Sequence, residues 1–240
     1  MNRLPILCYH KVGPAEVEGR FLNVEPTTLR AQIGFLKRRG LGFVLARDLV
    51  REWPKRGVCL TFDDAYTSLL EYGVPVLASC GVRASIYAVS GRVGQTSDWD
   101  GERARPLMAW DALRALQEQG FEIGNHTVDH FALATLDQPE ITGQIRLAHE
   151  RLSQEGIHSL TVCYPYGSTS PNVERAASEV GYDVGLALGK RLARNGDPAL
   201  GLPRIVVAYS DVVPKFWYRV FIRPLLREWR QFGATRQQSA

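Results

Sequence analysis

Val58-Cys59-Leu60-Thr61-Phe62-Asp63-Asp64 is an unbroken apolar run that ends in two adjacent carboxylates. A short continuous run of this kind, with no polar alternation, reads as a strand buried on both faces, the pattern of a parallel sheet covered by helices. Working outward, similar runs recur at 5–9, 42–46, 84–89, 121–124, 160–164, 183–188 and 205–208. Between them lie segments of helical period. Residues 27–39 carry Leu29, Ile33 and Leu36 on one face, opened by Pro26 and closed by Gly40. Helices are likewise expected over 65–80, with Pro75 as a kink or break, and over 110–119, 139–155 and 171–180. This alternation predicts an α/β chain of β/α units, and seven or eight such units suit a barrel better than an open sheet.

The chain has 240 residues, 45% of them hydrophobic and 22% charged, enough to bury a large core and too balanced for disorder. Its formal net charge of +4 is far from the dense basic stripe of a nucleic-acid binder, so no nucleic-acid partner is expected. No apolar run approaches the ~20 residues that span a bilayer, and the N-terminus lacks a signal peptide's apolar stretch, so the cytoplasm is the expected location. Cys8, Cys59, Cys80 and Cys163 form no CxxC pair and read as reduced, mostly buried thiols.

Three strand ends carry chemistry. At Asp63-Asp64, adjacent residues of a strand point to opposite faces, so both can reach one site only where the chain bends. One acid would then bind a metal while the other stays free as a base; the bland alternative is an ordinary helix-opening loop. His126-Thr127-Val128-Asp129-His130 follows another strand, with histidines at the i, i+4 spacing of one helical turn, close enough for both imidazoles to bind one ion. In a parallel barrel all such ends share one rim, and two histidines with one carboxylate form the open three-ligand set of a catalytic rather than a structural zinc site. Cys163-Tyr164-Pro165-Tyr166-Gly167 ends a third strand, where a backbone amide can be aimed at a developing oxyanion, or where Pro and Gly simply stop the strand.

In this order the three motifs resemble the NodB-homology polysaccharide deacetylases of carbohydrate esterase family four. The matching residues are TFDD at 61–64, the H-S/T-x-x-H form at 126–130 and PYG at 165–167, and the likeness runs from about residue 4 to about residue 207. The resemblance implies a distorted (β/α) barrel of about seven strands that holds a divalent metal, often zinc, and removes N-acetyl groups from amino sugars. Carried over, it makes Asp63 the general base, Asp64, His126 and His130 the metal ligands, and the Tyr166 amide part of an oxyanion hole. Two departures stand out: Cys163 replaces the arginine that orients the base, and no histidine follows His158 to protonate the leaving amine. Leu147-Ala148-His149 reads as a coincidental match on a helix, with His149 solvated.

His10, at the end of the first strand, lies beside the last strand if the barrel closes, and the YHKV segment resembles the branch acting on poly-β-1,6-N-acetylglucosamine, where the acid histidine comes early. His10 is therefore the expected general acid. Arg204, before the last strand, is the candidate to hold Asp63, with an exposed charge as the alternative. Leu186, Leu188, Tyr164 and Trp99 are candidates to pack the acetyl group or a sugar face. The polar loop 91–107 reads as a substrate-contacting loop or a decorative insertion.

The expected domains are a barrel over 1–210 and a basic, aromatic segment over 211–240. Residues 190–230 hold nine basic residues against three acids, which leaves the rest of the chain net negative. The C-terminal stretch has the composition of a membrane-interface segment, or forms a final helix packed on the core and interrupted by Pro224. The expected activity is metal-dependent hydrolysis of the N-acetyl group of a glycan partner, whether polymer or lipid-linked. The alternatives are removal of another N-acyl group from a lipid-linked sugar, or a non-catalytic glycan-binding barrel.

Overall fold

The computed structural model describes residues 3–227. Each apolar run forms a strand: β1 Ile6–Tyr9, β2 Gly42–Val44, β3 Gly57–Phe62, β4 Ser85–Ala88, β5 Glu122–Asn125, β6 Thr161–Cys163, β7 Val184–Leu188 and β8 Leu202–Val206. They line up as β1-β8-β7-β6-β5-β4-β3, and β3 pairs back onto β1, with Cys59, Leu60, Thr61 and Phe62 opposite Ile6, Leu7, Cys8 and Tyr9. Seven parallel strands therefore close a barrel. The eighth, β2, pairs with the first half of β3 from Gly57 to Cys59, while β4 pairs with the second half at Thr61 and Phe62. Sharing one edge between two strands is what distorts the ring. Because all strands run the same way, Phe62, Asn125, Cys163 and Leu188 end on one rim, and the residues just after them share one mouth.

Helices α1 Pro26–Arg38, α2 Val74–Ser79, α3 Trp110–Glu118, α4 Gln138–Gln154 and α5 Pro171–Val180 cover the outside. Leu29, Ile33 and Leu36 of α1 sit with Leu60, Phe62 and Ile86 in the largest apolar cluster, as the helical spacing predicts. Asp137 opens α4 with a capping box: its side chain accepts from the Glu140 amide at 2.9 Å, and Glu140 Oε2 accepts from the Asp137 amide at 3.1 Å. Asp64 and Ala65 take left-handed φ values of 69° and 55°, and Tyr66 bridges to Leu107, so the helix expected from residue 65 starts later.

Pro75 does not break that helix. A π turn over Leu69–Gly73 precedes it, with the Val74 amide bonding back to the Leu69 carbonyl. The same device carries the final helix past Pro224: α6 Val213–Trp217 enters a π turn at Tyr218–Ile222, with the Arg223 amide on the Tyr218 carbonyl. The wider turn relieves the clash between the proline ring and the carbonyl four residues back.

From residue 211 to residue 227 the chain packs on the barrel. Phe216 and Val220 are fully buried, Phe35 meets Phe216 and Phe221 edge to face, and Gln32 Nε2 donates to the Asp211 carbonyl at 2.7 Å. Val212, Trp217, Tyr218 and Leu226 stay exposed on its outer side. Residues 228–240 of the expected C-terminal segment lie outside the described residues. No described helix is long and apolar enough to cross a membrane.

Candidate active site

At the barrel mouth a cavity of about 440 Å³ is lined by, among others, His10, Asp63, Asp64, His126, His130 and Tyr166. Six of the residues predicted from sequence thus converge. The seventh, Arg204, lies beneath them, fully buried.

Arg204 Nη1 and Nη2 donate to Asp63 Oδ1 and Oδ2 at 2.6 and 2.8 Å. Arg204 is itself held by Thr61 Oγ1 at 2.9 Å and the Ala187 carbonyl at 3.2 Å. Burial works to raise the Asp63 carboxyl, but the Arg204 guanidinium outweighs it and holds the group well below the ordinary carboxylate range. Cys8 and Cys163 also turn their thiols toward Asp63 at 3.4 and 3.6 Å, and burial pushes both thiols well up, so they remain protonated donors. Position 163, where the motif arginine is absent, is thus a thiol against the same carboxylate.

Asp64 Oδ1 lies 3.4 Å from His126 Nε2 and 3.2 Å from His130 Nε2, with all three side chains buried. His126 Nδ1 faces the Cys163 carbonyl at 2.7 Å; a carbonyl can only accept, so Nδ1 carries the proton. In the neutral ring Nε2 is then a lone pair aimed at a carboxylate. Asp64 Oδ1 has no hydrogen-bond partner, nor has His130 Nδ1. Buried acceptors that face one another need a cation between them, and the ligand atoms of Asp64, His126 and His130 all lie within 4.8 Å of one another. The donor set fits a divalent metal such as zinc.

The histidines do not meet on a helical turn, as their spacing suggests. The chain after β5 is irregular: Thr127 and His130 take φ of 68° and 61°, and the His130 amide bonds to Thr127 Oγ1 at 3.2 Å. This left-handed turn brings the two rings to 5.1 Å. Leu22, Asp64, Ala65, Thr127, His130 and Tyr166 are all the non-glycine residues with positive φ among those described, and four of them line the cavity. Backbone strain of roughly 1–3 kcal/mol per residue is thus concentrated at the site. Gly167 completes the turn after β6 at φ 67°; a Cβ there would sit 2.5 Å from the Leu188 amide nitrogen, so no other residue fits.

Tyr166 is exposed and tilts its ring over His130 at 4.7 Å, and Trp99 stacks on the same imidazole at 4.2 Å. The loop 91–107 therefore reaches the site. It is tied down by bridges from Leu107 to Tyr66 and from Pro106 to Thr96, and by Tyr66 Oη donating to Asp100 Oδ2 at 2.6 Å. Leu188 lines the cavity, but Leu186 is packed in the barrel interior and Tyr164 points to the Leu200 carbonyl, so neither faces the cavity. His149 is half-buried against Tyr182 Oη at 3.0 Å rather than solvated, and His158 is exposed. Sequence reasoning missed Phe21, Leu22, Asp100 and Arg103, which also line the cavity. Asp100 and Arg103, in the same loop as Trp99, were the ones with a usable signal.

Burial lowers the His10 imidazole, against the upward pull of Asp63 and Asp64. His126 is raised: burial pulls it down, and the carboxylates of Asp64 and Asp63 more than compensate.

The chain matches the family model for polysaccharide deacetylases over residues 51–185. It is 24% identical to YxkH of Bacillus subtilis (strain 168) over 86% of this chain and 72% of that protein. It is 21% identical to a poly-β-1,6-N-acetyl-D-glucosamine N-deacetylase of Staphylococcus epidermidis, over 96% of this chain and 84% of that protein. Among solved structures, IcaB from Ammonifex degensii superposes with a TM-score of 0.77 at 23% identity, covering 92% of this chain and 97% of that one. The Streptococcus pyogenes deacetylase PplD in complex with acetate gives 0.76 at 22% identity, covering 91% and 98%; at such identities both likenesses speak to the fold. With the model matching more than half of its length, the chain belongs to the polysaccharide deacetylase family, hydrolases of carbon–nitrogen bonds other than peptide bonds.

Proposed function

We propose that the protein hydrolyses the N-acetyl amide of an amino sugar in a glycan, releasing acetate and a free amine, and that it does so with a divalent metal, zinc being the best fit. The observation that carries this reading is the pairing of two carboxylates in opposite states: Asp64 with unpartnered lone pairs facing two imidazoles, and Asp63 locked to Arg204.

Asp64, His126 and His130 would hold the metal, which when bound polarises a carbonyl and acidifies a water. Asp63 stays ionised at neutral pH because of Arg204, and accepts the proton of the attacking water. Arg204 and the two thiols fix the direction of its lone pairs. The Tyr166 amide, at the mouth on its left-handed turn, donates to the developing oxyanion. His10 delivers a proton to the departing amine; a lowered pKa makes its imidazolium a stronger acid, at the cost of a smaller protonated fraction at neutral pH. Leu188 and Trp99 supply apolar and aromatic surface for the acetyl methyl and the sugar face.

The test is acetate and free-amine release from a β-1,6-linked N-acetylglucosamine oligomer. Activity that is abolished by a chelator and restored by Zn²⁺ supports the reading. Release that is indifferent to thorough metal removal refutes the metal-dependent mechanism.

A further inference from the structure

Beside the catalytic cavity lies a second one, of about 330 Å³, whose walls include Lys190, Arg219, Arg223 and Arg227. The two share Leu188 and Val206, so they lie side by side. The second cavity draws its charged lining from these four cations. Arg219 is oriented by Asp211, with Nε at 2.8 Å from Oδ2. Among the described residues, no carboxylate pairs with Lys190, Arg223 or Arg227.

We propose that this basic cavity is a phosphoryl-binding subsite, and that the substrate is an N-acetylated amino sugar bearing a phosphate or pyrophosphate group. The substrate class rests on the deacetylase reading above; the anion site does not. Three cations without a carboxylate partner among the described residues, beside one paired with Asp211, favour a ligand that carries more than one negative charge, more than a single carboxylate supplies. Planar guanidinium forks match the oxygens of a phosphoryl group in paired hydrogen bonds. The phosphoryl group is the shared chemistry of a soluble sugar phosphate and a lipid-linked sugar.

Two measurements on the full chain test this. Inorganic pyrophosphate is titrated by calorimetry into the wild type, the triple variant Lys190→Gln/Arg223→Gln/Arg227→Gln, and Arg223→Lys/Arg227→Lys as a charge-preserving control. Acetate release is then compared for methyl N-acetylglucosaminide, N-acetylglucosamine 1-phosphate and the same phosphate esterified to a polyprenol in micelles. The expected result is pyrophosphate binding that weakens at least about tenfold in the triple variant and little in the control. Turnover should favour the phosphorylated sugars by about tenfold over the methyl glycoside, a ratio that collapses toward one in the triple variant. Better turnover of the polyprenyl form than of the soluble phosphate supports a lipid-linked source, and equal turnover a soluble one. Pyrophosphate binding that is absent, or unchanged in the triple variant, overturns the subsite whatever the turnover. If no sugar releases acetate while pyrophosphate binding behaves as expected, the deacetylase reading fails and the anion site stands.

Discussion

The guanidinium of Arg204 grips both oxygens of Asp63 across 141 residues of sequence, at 2.6 and 2.8 Å, with Arg204 fully buried and Asp63 showing only a sliver of its surface to the cavity. The pair exists because β8 closes the ring against β1, and β1 against β3. It puts a permanent positive charge under the proposed base from the opposite end of the chain.

Removing that charge leaves a buried carboxylate unpaired. Arg204→Met is expected to destabilise the fold by about 3–5 kcal/mol. Arg204→Lys keeps a charge but loses the fork and should fold while raising the Asp63 pKa. The sign follows from linkage: a carboxyl lowered below its unfolded value near 3.8 contributes stability that is present above that pH and lost as pH falls through the folded value. The acid limb of the rate profile, which needs ionised Asp63, should likewise lie at low pH in the wild type and move upward in Arg204→Lys. Denaturant melts and pH profiles of the two variants check this; an unmoved acid limb would separate Arg204 from the base.

His10 is expected to govern the alkaline limb, since only the imidazolium can donate, and burial places that limb below the ordinary histidine range near 6.5. An amine needs the proton more than a phenoxide does. His10→Ala should therefore damage amide hydrolysis far more than hydrolysis of an activated acetate ester. Equal losses on both substrates would make His10 a structural residue.

Trp99 stacks on His130 at 4.2 Å and restrains an imidazole whose Nδ1 has no hydrogen-bond partner. Without that contact Tyr166 alone restrains the outer face of the ring. Trp99→Ala is expected to weaken metal binding by about tenfold, the lower end of what a lost supporting contact costs. Competition with a chelator dye measures it, and unchanged affinity would confine Trp99 to sugar contacts.

The strands and their shared rim were legible because buried parallel strands are unbroken apolar runs, and TFDD, HTVDH and CYPYG each end one. The geometry of the turns was not. Histidines four apart suggested a helix, yet positive φ at Thr127 and His130 brings them together, and nothing in those side chains announces it. Arg204 could be offered as a partner for Asp63 but equally as a surface charge, because only ring closure decides. Prolines at 75 and 224 read as breaks, and the π turns that absorb them depend on packing outside the local sequence.

The C-terminal segment illustrates the same limit. Its arginines and aromatics suit an interface with lipid, but Phe216 and Val220 are buried in the barrel's main cluster. Each such side chain is worth roughly 1.5–3 kcal/mol, so a chain ending at Asp211 should lose about 3–6 kcal/mol, a large share of a typical domain's stability. Calorimetry of the shortened protein checks this, and an unchanged melting temperature would contradict the packing.

Asp63 and Asp64, adjacent in sequence, are proposed to divide the chemistry, one as base and one as ligand. Asp63→Asn tests it most directly, through metal content and acetate release measured on one preparation. The expected result is about one divalent ion per chain with turnover on N-acetylglucosamine oligomers lost, because an amide cannot accept the water's proton. Acetate release near the wild-type rate from that variant would contradict it.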